Sequence, residues 1–547
     1  MNRLGNIPAH HYVWYLAAIW AVLTLPSLGL APLFDYDETI YAQTAADMMH
    51  LGEWIVPTAN GTQFFEKPPF TYYMMDACFM LFGENAFAAR LPSAIFTLLT
   101  ALLLFRFGRD IRSPQFGMAA ALIFLSMLEV GLLAHAAILD AVLNFFIAAC
   151  LLNYLRWLQS EENRHALWCA AMMGAAVSIK GPVGAVVPIL IILADRLLAR
   201  DLKRTLASIP WGGALLLLFL TATPWYLMIL IQQGRGFLYE FIMVHNIGRA
   251  LNPMQGHGGG WHYYIIVFAV SVLPWLAFMP WLARQWDTAS KETLDELIRL
   301  GLLWTLIVLA LFTFAQTKLP HYISCLYPGV ALAIAAAWWR NEPAISQTSL
   351  LLRATALILL PVGLFLTAFP SLYPMIAEHV HHPRAVAVLA QDIQPGLSIS
   401  IAGILLIAAL LWLWRKGTSR QALGKVIITG FVLQSALLIP LGGFAGRLAQ
   451  GPQTHIAEVV RSLPNDVTLF SYNLNFPSIS FQSGRSYRMA QNKDGIKAMK
   501  AQSGSIAIIM RTESLPQLPW LAAQQPVVDQ GGFLLYVLHP QSGSSSK

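Results

Sequence analysis

Residues 396–414 read GLSISIAGILLIAALLWLW, a run without a single charge, and Arg415 and Lys416 follow at once. A bilayer core is about 30 Å thick and a helix rises roughly 1.5 Å per residue, so about 20 apolar residues cross it. This run is therefore expected to span a membrane, with its basic end on the cytoplasmic side. Comparable runs lie near 12–31, 88–106, 115–134, 137–155, 165–179, 181–196, 207–231, 262–282, 299–316, 320–339, 352–372 and 426–446, which makes thirteen expected spans. Two of them, 165–179 and 181–196, are short between charges. The whole chain agrees with a lipid environment. Its 547 residues are 56% hydrophobic and 12% charged, with a mean hydropathy of +0.56, where soluble proteins carry roughly 25% charged residues. An ordinary soluble enzyme, a disordered chain and a coiled coil are all excluded by that composition.

The net charge of +7 does not point to nucleic acid, because the basic residues fall between apolar runs and not on one folded patch. They have a topological meaning instead. Alternate connections carry eighteen Lys and Arg between Arg106 and Lys425, whereas the opposite connections hold Lys67, Arg90, Lys180, Arg235, Arg249, Lys318 and Arg384. The asymmetry predicts a cytoplasmic N-terminus and, with an odd number of spans, a C-terminus on the outer face. Only Arg3 precedes the first run and no small-residue cleavage site follows it, so a retained helix is expected there. The expected organisation is a membrane domain over 1–446, with long outer loops at about 32–87 and 232–261. A C-terminal α/β domain over 447–547 follows, where short alternating runs such as Val467 to Phe470 and Ile506 to Met510 read as strands. That domain shows no nucleophile and base pairing and reads as a cap. The four cysteines, Cys78, Cys150, Cys169 and Cys325, are far apart in apolar sequence and read as packing residues.

Charge is costly near a bilayer, so the charged groups of the outer side are the informative ones. The first outer loop opens with Phe34-Asp35-Tyr36-Asp37-Glu38 and includes Phe65-Glu66-Lys67-Pro68-Pro69. Three carboxylates so close raise one another's pKa unless a cation, a metal or hydrogen-bond donors offset them. One reading makes them a general base or a ligand for a cation. A second, compatible reading makes Asp35 or Asp37 the N-cap of a helix that begins near Glu38 and runs through Tyr41 and Ala45. The second outer loop holds Arg235, Glu240, His245, Arg249 and His257 within a glycine-rich stretch, without phosphate-loop or dinucleotide spacing. It reads either as a mobile loop whose basic side chains grip a phosphate or as a plain solvated loop. Shorter outer turns add His135, Asp140, Lys180, Lys318, His321 and Tyr322. Several cations and a few carboxylates at one edge of the bilayer suit a phosphate-bearing amphiphile.

Asp35-Tyr36-Asp37-Glu38 with Tyr41-Ala42, Phe65-Glu66-Lys67-Pro68-Pro69, Leu139-Asp140, Lys180-Gly181, Pro224-Trp225-Tyr226 and Lys318-Leu319-Pro320 occur in this order along the chain. In that order they resemble the bacterial membrane glycosyltransferases that place 4-amino-4-deoxy-L-arabinose on lipid A, a group within the wider GT-C class that includes protein O-mannosyltransferases. The resemblance covers essentially the whole chain. It implies a polytopic α-helical protein of the bacterial inner membrane with a periplasmic C-terminal domain. It also implies inverting transfer of a sugar from a polyprenyl (undecaprenyl) phosphate carrier to lipid A. Asp37 then takes the central catalytic place with Glu38 beside it, and Asp35 is the alternative. Asp37 would deprotonate a hydroxyl acceptor, or orient the acceptor and contact a sugar amine if the nucleophile is already an anionic phosphate. Lys67, Arg249 and Lys318 would neutralise the departing carrier phosphate, and Asp140 and Tyr41 would line the cavity. No cofactor is required by the sequence, and a divalent metal such as zinc would fall to Glu66 with His245 or His321. The partners implied are the lipid-linked donor, the envelope acceptor and membrane lipid, with no nucleic acid. A protein or another envelope glycan is the second acceptor. From other classes, a transporter or flippase for a lipid-linked sugar and a noncatalytic scaffold compete, but the polar groups gather at one face and no internal repeat is visible.

Overall fold

Each of the thirteen apolar runs carries helix in the computed structural model, which describes residues 8–252, 258–287, 290, 292–415 and 419–539. Seven helical stretches are long and apolar enough to cross a bilayer: Ala86–Ile111, Asp140–Ser160, Thr293–Phe314, Pro320–Arg340, Ile345–Glu378, Leu397–Trp414 and Gln421–Ser462. Three further pairs of helices are sharply bent. Pro114–Leu125 meets Leu128–Ala134 at 73°, Leu202–Ser208 meets Trp211–Ala222 at 77°, and Tyr263–Ser271 meets Trp275–Ala283 at 108°. Among the described residues the count is therefore seven, or up to ten with each bent pair taken as one span. The expected thirteen is not reached by this measure. Ala9–Thr24 and Val183–Leu198 are only 16 residues each, and the run at 207–231 is divided where Pro224 starts a new helix.

Breaks inside an apolar bundle free backbone groups that lipid cannot satisfy. At the first bend Gln434 resolves this, its Nε2 donating to the carbonyls of Leu125 at 2.8 Å and Met127 at 2.7 Å. The Leu128 N–H donates to the Leu273 carbonyl at 2.9 Å, tying the first bend to the third. One large apolar core joins the helices, while Leu215, Leu216, Phe219 and Leu220 of Trp211–Ala222 are exposed and form a lipid-facing row. Backbones pack closely where small residues allow. A Cβ on Gly301 would lie 2.4 Å from the carbonyl oxygen of Gly329, so Thr293–Phe314 and Tyr327–Arg340 cross through paired glycines.

The first outer loop is built from two helices, Asp37–Leu51 and Phe70–Phe82, joined through a two-strand ribbon that pairs Thr58 with Gln63. Asp37 and Glu38 stand in the first turn of the former, where acidic groups favour the helix dipole, and Gly52 at φ +66° ends it. The expected helix is present, but neither Asp35 nor Asp37 caps it. Tyr36 occupies the cap position without a side-chain hydrogen bond. The stretch expected as an outer loop at 232–261 is largely helical from Arg235 to Leu251, with a wide π-helical turn over Tyr239–Gly248. His257 and its neighbours 253–256 lie outside the described residues.

Helix Gly442–Ser462 runs through position 446 and leads into a five-stranded sheet. The strand order is Arg488–Ala490, Thr468–Tyr472, Ile506–Arg511, Phe533–Leu538, Val528–Gln530. The first three strands are parallel and the last two antiparallel. This domain docks on the first outer loop: Phe481 of helix Pro477–Ser483 packs on Phe79 with ring centroids 5.6 Å apart.

Candidate functional site

Asp37 is exposed at the start of its helix, and among the described residues its carboxylate has no hydrogen-bond or ion-pair partner. Its neighbour behaves oppositely. Glu38 is buried and receives both Nε and Nη2 of Arg90, at 2.8 and 2.7 Å, together with the backbone N–H groups of Ala137 at 2.7 Å and Phe34 at 2.9 Å. Arg90 spends its remaining donors on the carbonyls of Leu28, Ala31 and Pro32. Glu38 is therefore a brace that fixes the end of the first helix and the start of Asp37–Leu51, and the expected catalytic role does not suit a carboxylate so occupied. Arg90, the other half of the brace, carries a signal in the sequence itself: an arginine inside an apolar helix needs a partner.

Asp35 also departs from expectation. Its carboxylate accepts from the Thr39 hydroxyl and from the Ser478 hydroxyl, and from the Ser478 N–H at 3.1 Å. It pins the first outer loop to the C-terminal domain instead of facing the cations. Burial pushes its pKa up to about 6 against those hydrogen bonds.

The cations are assembled by the second outer segment. Phe237 and Phe241 pack with Trp225 and Ile229 against Phe65 and Val56 of the first loop, Phe65 meeting Phe237 edge-on at 5.4 Å. This apolar contact delivers Arg249 to Glu66, with Nη2 2.5 Å from Oε2. Arg249 keeps a buried Nε that has no hydrogen-bond partner among the described residues. Lys67, beside Glu66, is 7% exposed, and among the described residues its ammonium reaches only the Glu66 carbonyl, at 3.1 Å. Burial pulls the Lys67 pKa down to about 7, Arg249 adds to the fall and Glu66 opposes it. Opposite stands Lys180, bound to Asp140 at 2.6 Å and lying 4.8 Å over the Tyr322 ring. His321 lies 3.9 Å from the other oxygen of Asp140.

These groups form one electrostatic neighbourhood. Lys67 feels Arg249, Glu66, Lys180 and Asp140. Asp37 acts on Tyr36, Tyr41 and His321. Tyr41 lies near these groups and packs on Tyr72 and Phe64. Arg249 and Lys180 each already hold a carboxylate, so Lys67 is the cation left without one among the described residues. A buried ammonium and an orphan guanidinium N–H side by side are costly unless an anion completes them. With an unpartnered carboxylate at the edge, the arrangement can hold a phosphate and present Asp37 to the groups reacting next to it.

Two expectations fail on geometry. Lys318 donates to the carbonyls of Thr313 at 2.7 Å, Ala315 at 2.8 Å and Phe312 at 3.4 Å, and so closes the end of helix Thr293–Phe314. It has no donor to spare for a phosphate. Among the described residues the metal set of Glu66 with His321 does not assemble either. Glu66 is committed to Arg249, His321 stands by Asp140, and no three His, Cys, Asp or Glu side chains converge among the described residues. The His245 side chain lies outside them. Lys180 joins this cluster through Asp140.

Residues 66–228 match the family model described as dolichyl-phosphate-mannose-protein mannosyltransferase. The undecaprenyl phosphate-alpha-4-amino-4-deoxy-L-arabinose arabinosyl transferase of Serratia proteamaculans is 32% identical over 328 residues, which are 59% of this chain and 58% of that protein. The Yersinia enterocolitica protein of the same name is 30% identical over 330 residues, again 58% of its length. The matched region thus spans less than two thirds of these relatives. Structural likeness extends further. The crystal structure of ArnT from Cupriavidus metallidurans bound to undecaprenyl phosphate superposes with a TM-score of 0.82 at 18% identity, covering 97% of this chain and 98% of that one. Its apo state gives 0.79. The chain has the GT-C fold of these transferases, with the small sheet domain at its C-terminal end.

Proposed function

We propose that this chain transfers a sugar, 4-amino-4-deoxy-L-arabinose or a close relative, from undecaprenyl phosphate to lipid A on the periplasmic face of a bacterial inner membrane. The observation that carries the reading is the buried Lys67, without a carboxylate of its own, beside the orphan N–H of Arg249 and within the same polar cluster as the unpartnered Asp37. The ArnT fold and the transferase relatives support it. Lys67 and Arg249 hold the carrier phosphate and neutralise it as it leaves. Asp37 orients the acceptor: a lipid A phosphate is already anionic and needs no base, while a hydroxyl acceptor would give its proton to Asp37. The cations supply the charge neutralisation, so no metal is assigned a step. The N-terminus is cytoplasmic and the sheet domain periplasmic in this reading.

Purified protein supplied with the undecaprenyl phosphate sugar and lipid A tests it, with products read by mass spectrometry. A lipid A gain of one amino-pentose is expected, reduced by about 10²-fold in Asp37→Asn through lost positioning of the acceptor. Movement of the lipid-linked sugar across vesicles with no glycosidic product would replace the enzyme reading with a flippase. The matched mannosyltransferase model favours one second reading, a protein acceptor. Unchanged lipid A alongside a glycosylated envelope protein would establish it.

A further inference from the structure

A cavity of about 800 Å³ opens between the C-terminal sheet and the membrane part, away from Lys67 and Arg249. Its wall on the membrane side comes from helices Pro383–Leu389 and Gly442–Ser462, and its other wall from the turn between Val528–Gln530 and Phe533–Leu538. That turn can approach closely because it is Gly531-Gly532, both at positive φ: a Cβ on Gly531 would sit 2.3 Å from Pro452. Asp35 reaches the same cavity, two positions from Asp37.

The lining selects a ligand class. Gln450 and Gln453 lie one helical turn apart, 5% and 4% exposed, and the Oε1 of each has no hydrogen-bond partner. Two buried amide oxygens left unpaired cost free energy that a hydroxylated ligand would recover. Phe476 and Phe533 supply an aromatic floor, edge-on at 5.3 Å, with the Arg511 guanidinium 5.2 and 5.5 Å from their centroids. The charges do not favour a phosphate: two arginines, Arg384 and Arg511, face three carboxylates, Asp35, Glu513 and Asp529, and Arg384 is already paired with Glu513 at 3.0 Å. Planar amides, aromatic faces and a lining without excess positive charge are the chemistry of sugar recognition, and the volume lies in the range of small-ligand pockets.

We propose that this cavity is a saccharide-binding subsite that receives the sugar part of the acceptor, a hexosamine disaccharide, and delivers it alongside the helix that bears Asp37. The acceptor assignment rests on the transfer reading above; the saccharide site does not. The test titrates the full-length protein in detergent with chitobiose, maltose and inorganic phosphate, read by saturation-transfer NMR. Chitobiose signals are expected, weakened at least about tenfold in Gln450→Leu/Gln453→Leu and lost in Thr512→Trp, which fills the mouth from its exposed rim. Thermal unfolding shows whether each variant is folded, and Thr512→Trp carries the test if the buried pair is not tolerated. Absence of sugar binding in the wild type, binding of phosphate in its place, or binding indifferent to both variants would overturn the site. In the transfer assay the same variants are expected to raise the KM for lipid A about tenfold while the donor KM and kcat hold. Transfer with an unchanged acceptor KM refutes the acceptor assignment. Sugar binding without any transfer upholds the site and removes the transfer reading.

Discussion

The buried ammonium of Lys67 meets one backbone carbonyl, and burial beside Arg249 brings its pKa from 10.5 to about 7. Between those values the folded chain binds fewer protons than the unfolded one, so the cost of the buried charge is full below pH 7 and fades as pH rises toward 10.5. A phosphate reverses the preference by stabilising the ammonium. Affinity for undecaprenyl phosphate is therefore expected to fall about tenfold per pH unit above pH 7, as the protonated fraction falls. Lys67→Gln should bind weakly at every pH, with a flat profile. Equilibrium binding in nanodiscs from about pH 6.5 to about pH 9 measures this, and a flat wild-type profile would show that Lys67 does not hold the phosphate. Two adjacent carboxylates separate by another observable. Arg90→Leu strands Glu38 in the interior and should cost roughly 3–5 kcal/mol of stability, whereas the exposed Asp37→Asn should unfold at the wild-type temperature despite its loss of transfer. Equal melting of Arg90→Leu and wild type would contradict the brace. Three acids in four positions announced chemistry in the sequence. Which acid faces the ligand was not legible there, because the answer depends on Arg90 and Ser478, 52 and 443 residues away from their partners.

Lys318 shows the same limit at the scale of an element. Its motif is one of those that carry the resemblance, and a lysine there reads as a phosphate ligand, but three carbonyls at the end of Thr293–Phe314 hold it and Tyr264 lies 5.4 Å beneath. Its work is to satisfy carbonyls that a helix end leaves open. Lys318→Met should destabilise the chain by about 1–3 kcal/mol and leave the donor KM unchanged, measured by thermal unfolding and donor titration on one preparation. A raised donor KM at unchanged stability would return Lys318 to the site. Each apolar run that hydropathy marked carries helix, because lipid accepts little else. It could not show the bends at Ser126, Pro210 and Pro274, which depend on partners such as Gln434 that arrive from far along the chain. The glycines and histidines of 232–261 suggested a loop. Phe237 and Phe241 carried the contrary signal, an apolar face that needs Phe65 to cover it.

At the scale of the molecule, the proposed topology rests on the basic residues of alternate connections, though not every one of them serves it. Arg196 and Arg299 are buried on Asp195, at 2.5 and 2.9 Å, and Arg340 pairs with Asp295. They clamp helix ends together. The exposed remainder, such as Arg112, Arg164, Arg200 and Arg204, belongs to alternate connections, and an uncompensated cationic surface is expected to stay in the cytoplasm during insertion. All four native cysteines are buried, so an introduced exposed cysteine reports its own compartment against little background. Glu162→Cys lies on the basic side between Asp140–Ser160 and Asn163–Lys180, and Ser503→Cys lies in the sheet domain just before strand Ile506–Arg511. In intact spheroplasts a membrane-impermeant maleimide is expected to label Ser503→Cys and to miss Glu162→Cys until the membrane is permeabilised. The reverse pattern would put Lys67, Arg249 and Asp37 on the cytoplasmic face. A site there would have nucleotide sugars at hand and no need for a lipid-carried donor, and the transfer reading would fall with the topology.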